Sequence, residues 1–326
     1  MCIVLAACSS AESSARPTSD SGAPEIALDH AGDASDSSAP EIALDHAGDA
    51  SDSGAPDTAI DHASDDPLAA FGAYNFTFEN RPVAEQIDLL AGNGYRHLSF
   101  WWEPQGTIDL ENFLADERVA TRALPVLAVL FAIDASRAHD ISRTRAAVAA
   151  LAGRNIALWL LLRGQVDDSI LVSVVREVAD IARDSGVRVV LYPHQGDVMA
   201  DAEDALRIQR AAERTNVGIS LHLCHEFKAG NRDRLREVID HVVGAVEIAT
   251  INGTDTDIDT QRSDWEQTIK PLDAGDFDVE NNYFLPLWRA GYRGPLVLHT
   301  YGITDPPEQH LRRSAERFRS MAARAN

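Results

Sequence analysis

From Phe71 onward, short apolar runs alternate with amphipathic stretches about 15 to 25 residues long, and this alternation constrains the fold more than any other feature of the chain. Eight runs can be counted: Phe71–Phe76, Tyr95–Glu103, Leu124–Asp134, Asn155–Gly164, Arg188–Gly196, Val217–His225, Val246–Gly253 and Pro295–Gly302. Between them lie helical patterns such as Val83–Asn93, Ser142–Ala152, Asp168–Ser185, Ala200–Thr215 and Asn231–Val242, several ending in Gly or Asn as helix C-termini do. Eight strands joined by helical crossovers favour closure, so the expectation is an α/β chain with one (β/α)8 barrel over residues 68–326. An open doubly wound sheet is disfavoured. Its Gly-rich phosphate loop would follow the first strand, whereas Gly92-Asn93-Gly94 lies between a helix and a strand.

In a barrel of this kind, functional groups sit at the C-terminal ends of the strands, and here almost every run stops on a polar residue. The ends supply Asn75, Glu103, Asp134, Arg163, His194, His222 with His225, Asn252 with Asp255, and His299 with Tyr301. Each alone reads as a cap or turn residue. Four histidines on three strand ends are harder to assign to chance.

The N-terminal part is of another kind. The formal net charge of -22 is concentrated there: residues 1–66 hold fourteen acids and one base, Arg16, a net of -13, which leaves -9 for the rest. An acidic body without a Lys/Arg stripe argues against nucleic-acid binding. The segment 9–66 carries a 16-residue repeat, SGAPEIALDHAGDASD from Ser21, SSAPEIALDHAGDASD from Ser37 and a degraded copy from Ser53. Each unit has too little apolar area to offset ordering entropy, which predicts a disordered acidic spacer. His30, His46 and His62 recur at the period, but a flexible repeat does not converge ligands. Residues 1–8 end in Leu5-Ala6-Ala7-Cys8, which resembles the lipobox of bacterial lipoproteins and implies lipidation at Cys8. The chain is therefore expected in the cell envelope, membrane-bound only through that anchor, and in the cytoplasm if the signal is not real. Of the three cysteines, only Cys224 falls in the barrel, where it reads as a core thiol.

From about Phe71 to Ala323 the sequence resembles the sugar phosphate isomerase/epimerase family with the xylose isomerase-like barrel. GYRHLSFWW resembles its second-strand segment, VVLYPHQG the fifth, NVGISLHLCH the sixth, VEIATINGTD the seventh and GYRGPLVLHTYGI the last. The resemblance implies one divalent metal held by Glu, Asp, His and Glu from strands five to eight, with two carboxylates moving a proton beside a sugar carbonyl. This chain has Tyr192, His222, Asn252 or its neighbour, and His299 at those places, while His194 and His225 match histidines found just beyond the first two ligands. Carboxylates suit Mg²⁺ or Mn²⁺, whereas imidazoles suit transition metals. If a cofactor is bound, the expectation is one divalent transition metal on His194, His222 and His299.

With both glutamates replaced, the base must come from elsewhere, and Glu103, His194 and His222 are the catalytic candidates. Arg163 is a candidate for binding a carboxylate or phosphate, or for an ion pair with Glu103 or Asp134. His225 and Asn252 are further substrate-binding candidates. Trp101, Trp102 and Tyr301 suggest a sugar-stacking wall. Adjacent strand residues point to opposite faces, so at most one tryptophan lines the mouth; Trp102 and Tyr301 are the expected pair. The function implied is a sugar isomerase or epimerase-like activity on a small-molecule carbohydrate by proton abstraction. The alternative is a non-catalytic carbohydrate-binding lipoprotein.

Overall fold

The computed structural model describes residues 64–325 apart from 107, 261 and 263. Cys8 and the acidic repeats lie outside the described residues. Eight parallel strands close into a barrel in sequence order: β1 (Phe71–Tyr74), β2 (Leu98–Trp101), β3 (Val126–Asp134), β4 (Ala157–Arg163), β5 (Val189–Tyr192), β6 (Val217–His222), β7 (Val246–Ile251) and β8 (Leu296–Leu298). Closure comes from β1 against β8, with Ala73 beside Leu298.

The helices are α1 (Val83–Asn93), α2 (Leu110–Ala115), α3 (Glu117–Ala120), α4 (Ile141–Leu151), α5 (Asp168–Asp184), α6 (Ala202–Ala212), α7 (Leu223–Lys228), α8 (Leu235–Val242), α9 (Leu285–Arg289) and α10 (Pro307–Ala322). Their starts follow from capping: Asp109, Asp140 and Asp201 accept from backbone N–H groups at the first turns of α2, α4 and α6. Gly94, at φ 84°, takes the left-handed cap that stops α1 and feeds β2. No described helix is long and apolar enough to cross a membrane.

Strand alternation sorts the apolar side chains into two cores. Tyr74, Leu130, Trp159, Leu161, Val190, Tyr192, Ile248 and Val297 fill the barrel interior. Their sequence neighbours Phe71, Phe100, Leu158, Leu160, Leu191 and Leu298 face outward, under the helices. Except for β3, which runs to Asp134 as expected, the observed strands stop short of the polar ends of the apolar runs. In Val217–His225 the strand stops at His222 and Leu223–Lys228 turns at once into α7. That turn places the His225 ring against those of Tyr192 and His222.

Candidate functional site

The interior aromatic layer at the C-terminal end is the floor on which the site is built. Trp159 from β4 and Tyr192 from β5 pack edge to face at 5.0 Å, and the His222 ring lies 4.0 Å from Tyr192 and 5.3 Å from Trp159, ring centre to ring centre. His225 stands above, 4.6 Å from His194, 5.4 Å from His222 and 6.4 Å from His299. Strands 5, 6 and 8 therefore deliver their histidines to one place. His222, His225 and His299 are buried, and burial pushes all three imidazoles well below their ordinary range, His299 to about 3. The charged groups that act on them are other histidines, so the cluster favours neutral rings throughout.

The hydrogen bonds assign the protons. Ser220 Oγ lies 2.8 Å from the Leu191 carbonyl oxygen, which only accepts, so the hydroxyl proton goes there. The same Oγ accepts from Trp159 Nε1, at 2.8 Å, and therefore also accepts from His222 Nε2, at 2.7 Å. His222 is thus protonated on Nε2, and its Nδ1 accepts from the Thr250 hydroxyl at 3.1 Å. In His225, Nδ1 accepts the backbone N–H of Gln195 at 3.2 Å. In His299, Nδ1 accepts the backbone N–H of Tyr301 at 3.4 Å, leaving Nε2–H to donate to the Tyr192 hydroxyl at 3.2 Å. All three rings are Nε2–H tautomers whose lone pairs are already taken.

This bears on the expected metal. Ligand atoms from Cys224, His225 and His299 approach to within 4.8 Å of one another, a different set from His194, His222 and His299. A histidine that binds a metal through Nε2 must carry its proton on Nδ1 and donate it. Here the Nδ1 atoms of His225 and His299 accept backbone N–H groups, and that of His222 accepts the Thr250 hydroxyl while its Nε2 donates to Ser220 Oγ. Cys224 packs on Trp265 and Ile269, and burial raises its thiol far above the ordinary range, which opposes the thiolate a metal needs. The donor set does not fit a divalent metal, whether on the expected triad or on this one.

His194 is different. It sits in a turn closed by the Asp197 N–H donating to the His194 carbonyl, with Gly196 at φ 103°. The turn places Asp197 Oδ2 3.3 Å from His194 Nδ1 and 3.1 Å from Arg163 Nε, while Asp197 Oδ1 accepts the Gly164 N–H at 2.8 Å. Gln195 of the same turn holds His225. One four-residue turn thus fastens the ends of β4, β5 and β6. Arg163 pairs with Asp197, and its charge also helps to lower the Asp134 carboxyl; Asp197 is a residue the sequence reading missed.

Glu103 accepts from Arg143 of α4, with Nε 2.7 Å from Oε2, and the Arg143 guanidinium lies 4.1 Å over the Phe131 ring and also donates to the Ala132 carbonyl. Of the two tryptophans, Trp101 joins the interior cluster, and Trp102 packs in the outer core with Phe100. The expected choice of Trp102 is corrected: alternation puts Trp101 in phase with Ser99 on the inside. Asn252 donates to the carbonyls of Gly253 and Thr268 at 2.8 and 2.7 Å, so it fastens a loop. Tyr301 stands edge-on to Phe76 at 5.3 Å.

Among the described residues, the segment 252–278 has no helix, and a connection that long in a compact domain usually carries function. It returns Trp265 over the cluster, 5.0 Å from His225 and 5.9 Å from His194, with the Lys228 ammonium 5.2 Å from the indole. Its base is an antiparallel bridge between Gly253 and Lys270. A Cβ on Gly253 would lie 2.1 Å from the Pro271 carbonyl oxygen, so only glycine fits. Trp265, which with Trp288 is one of two tryptophans between the seventh and eighth runs, is a further residue the sequence reading missed.

The sequence profile of the xylose isomerase-like TIM barrel matches residues 132–321, more than half of the chain. The chain belongs to that family. No curated protein matches by sequence. Among solved structures, the IOLI protein with a bound zinc atom aligns at TM-score 0.61 and 18% identity, over 78% of this chain and 97% of that one. D-Allulose 3-epimerase from Methylomonas sp. in complex with D-allulose aligns at 0.59 and 15%, over 77% and 96%. A fusion of a xylose isomerase-like barrel with 4-hydroxyphenylpyruvate dioxygenase aligns at 0.60 and 15%, over 74% of this chain but only 41% of that one. At such identities the likeness concerns the fold.

Proposed function

We propose that the barrel mouth binds a carbohydrate and removes a proton beside its carbonyl, with His194 as the base and without a carboxylate-held metal. The observation that carries this reading is the charge contact of His194 Nδ1 with Asp197 Oδ2 at 3.3 Å, an ion-pair approach and not a hydrogen bond. A carboxylate at Nδ1 favours the proton there and leaves the Nε2 lone pair for chemistry, as a positioned general base requires. His194 is also the histidine of the cluster nearest solvent, with its side chain 20% exposed. His222 has no lone pair to offer, and Glu103 is engaged by Arg143. Trp101, Trp265 and Tyr301 supply aromatic faces for a sugar ring. Family members with solved structures include an epimerase holding D-allulose, which supports a ketose-sized ligand.

A second reading is a carbohydrate-binding barrel without turnover, favoured by the loss of every family carboxylate on strands 5, 6 and 8 in favour of Tyr192, His222 and His299. Incubating the protein with ketohexoses in deuterium oxide separates the two. Deuterium entering the carbon beside the carbonyl, abolished by His194→Gln, supports the catalyst; saturable binding with no exchange supports the binder. We also propose that Cys8 is lipidated and that the acidic repeats space the barrel from a membrane, which labelled fatty acid retained by wild type and lost in Cys8→Ala would support.

A further inference from the structure

The proton transfer just proposed leaves one charge without a partner. As a proton leaves the carbon beside a carbonyl, its C–H electron pair forms a C=C bond and the carbonyl oxygen becomes an oxyanion, which needs a donor or a cation within reach. The donor set at the mouth does not fit a divalent cation. It does contain a buried donor with nothing to bind: His225 is 2% exposed, its Nδ1 is occupied by the Gln195 N–H, and its Nε2 meets no hydrogen-bond partner. Leaving such an N–H unpaired costs about 1–3 kcal/mol, which an incoming acceptor recovers.

We propose that His225 Nε2–H binds the carbonyl oxygen of the substrate and stabilises the oxyanion formed when His194 takes the proton, so that a neutral imidazole stands where relatives of this fold use a metal. The inference rests on the His194 reading and extends it. Spacing supports it: a carbonyl oxygen and the carbon next to its own are about 2.4 Å apart, so base and donor nitrogens must stand roughly 4–7 Å from each other. The centres of the His194 and His225 rings are 4.6 Å apart, which puts both rings within reach of one small molecule. Burial keeps His225 neutral, and a neutral imidazole with its proton fixed on Nε2 hydrogen-bonds an oxygen without surrendering the proton. Trp265, at 5.0 Å, shields the same ring from water, the condition in which such a donor is worth most. The step balances within the site. His194 Nε2 receives the proton, the oxygen carries the negative charge while hydrogen-bonded to His225, and return of the proton to either face of the same carbon regenerates a neutral carbonyl and a neutral His194.

The test is exchange of the carbon-bound proton of D-fructose, D-tagatose and D-allulose in deuterium oxide, followed by proton NMR on wild type, His194→Gln, His225→Phe and His225→Gln, with and without EDTA. The expected result is exchange at one rate with or without chelator, a loss of about 100- to 1000-fold in His225→Phe, and partial recovery in His225→Gln, whose amide still donates. Exchange lost in His194→Gln but kept in His225→Phe overturns the role of His225 alone. Loss of exchange in EDTA with recovery on adding Zn²⁺ or Mn²⁺ overturns it as well. No exchange by wild type on any ketose overturns the His194 reading and this inference with it. As a readout on the unmutated protein, saturating D-fructose should shift the imidazole Nε2 resonance of His225 and leave that of His222 in place; an unmoved His225 signal counts against the proposal.

Discussion

Replacing His299 by Gln should flatten the pH dependence of stability by a calculable amount. Burial holds His299 near 3 in the folded chain, whereas in the unfolded chain it titrates at about 6.5. The folded value is depressed, so the unfolded state binds more protons as the solution is acidified, and stability is lost as pH falls through about 6.5. Between about pH 7.5 and about pH 5 the unfolded histidine gains nearly a full proton and the folded one almost none. The linkage integral over that interval is about 2 kcal/mol. Glutamine still accepts the Tyr301 N–H and still donates to the Tyr192 hydroxyl, so the main change is loss of the titrating group. Other buried groups, including Glu226, whose carboxyl burial raises to about 8, titrate alike in both proteins and cancel in the difference. Urea unfolding at the two pH values reads the effect directly. Wild type should lose about 2 kcal/mol more than His299→Gln, a midpoint difference of about 0.7 M if the slope is about 3 kcal/mol per M. Equal pH dependence, or a steeper one in the variant, would refute the claim that this imidazole is kept neutral.

Other outcomes follow from particular contacts. Asp197→Asn should slow any ketose exchange by roughly 10-fold or more, with the larger effect on kcat, because the base loses its orienting charge while the Gly164 N–H keeps an acceptor. Ser220→Ala strands the Trp159 and His222 N–H groups in the barrel interior and should cost about 2–4 kcal/mol in urea unfolding. Gly253→Ala forces a methyl against two carbonyl oxygens and should lower stability by about 1–3 kcal/mol; an unchanged melting temperature would show that the loop base yields.

The barrel was legible because its signals are local. Apolar runs of strand length, helical spacing between them and polar run ends recur eight times, and each repeat reinforces the others. The positions of His194, His222, His225 and His299 followed from that frame. Their states did not. Whether an imidazole has a lone pair to give depends on what touches its other nitrogen, and those partners are Ser220, Thr250 and the backbone N–H groups of Gln195 and Tyr301, none of which the sequence marks as special. Asp197 escaped notice because an Asp after Gly reads as turn chemistry. Trp102 was preferred to Trp101 because period-two alternation says only that one of them faces inward, and the phase is set by the register against β3, where Trp101 pairs with Leu130.

The proposed chemistry at the barrel mouth depends on where three protons sit. Long-range proton–nitrogen correlation spectra of imidazole-labelled protein near neutral pH, recorded with and without one equivalent of Zn²⁺, read this directly. His222, His225 and His299 should each show the Nε2–H tautomer, with signals unchanged by zinc. Nδ1–H tautomers on His225 and His299 that bind zinc stoichiometrically would contradict it.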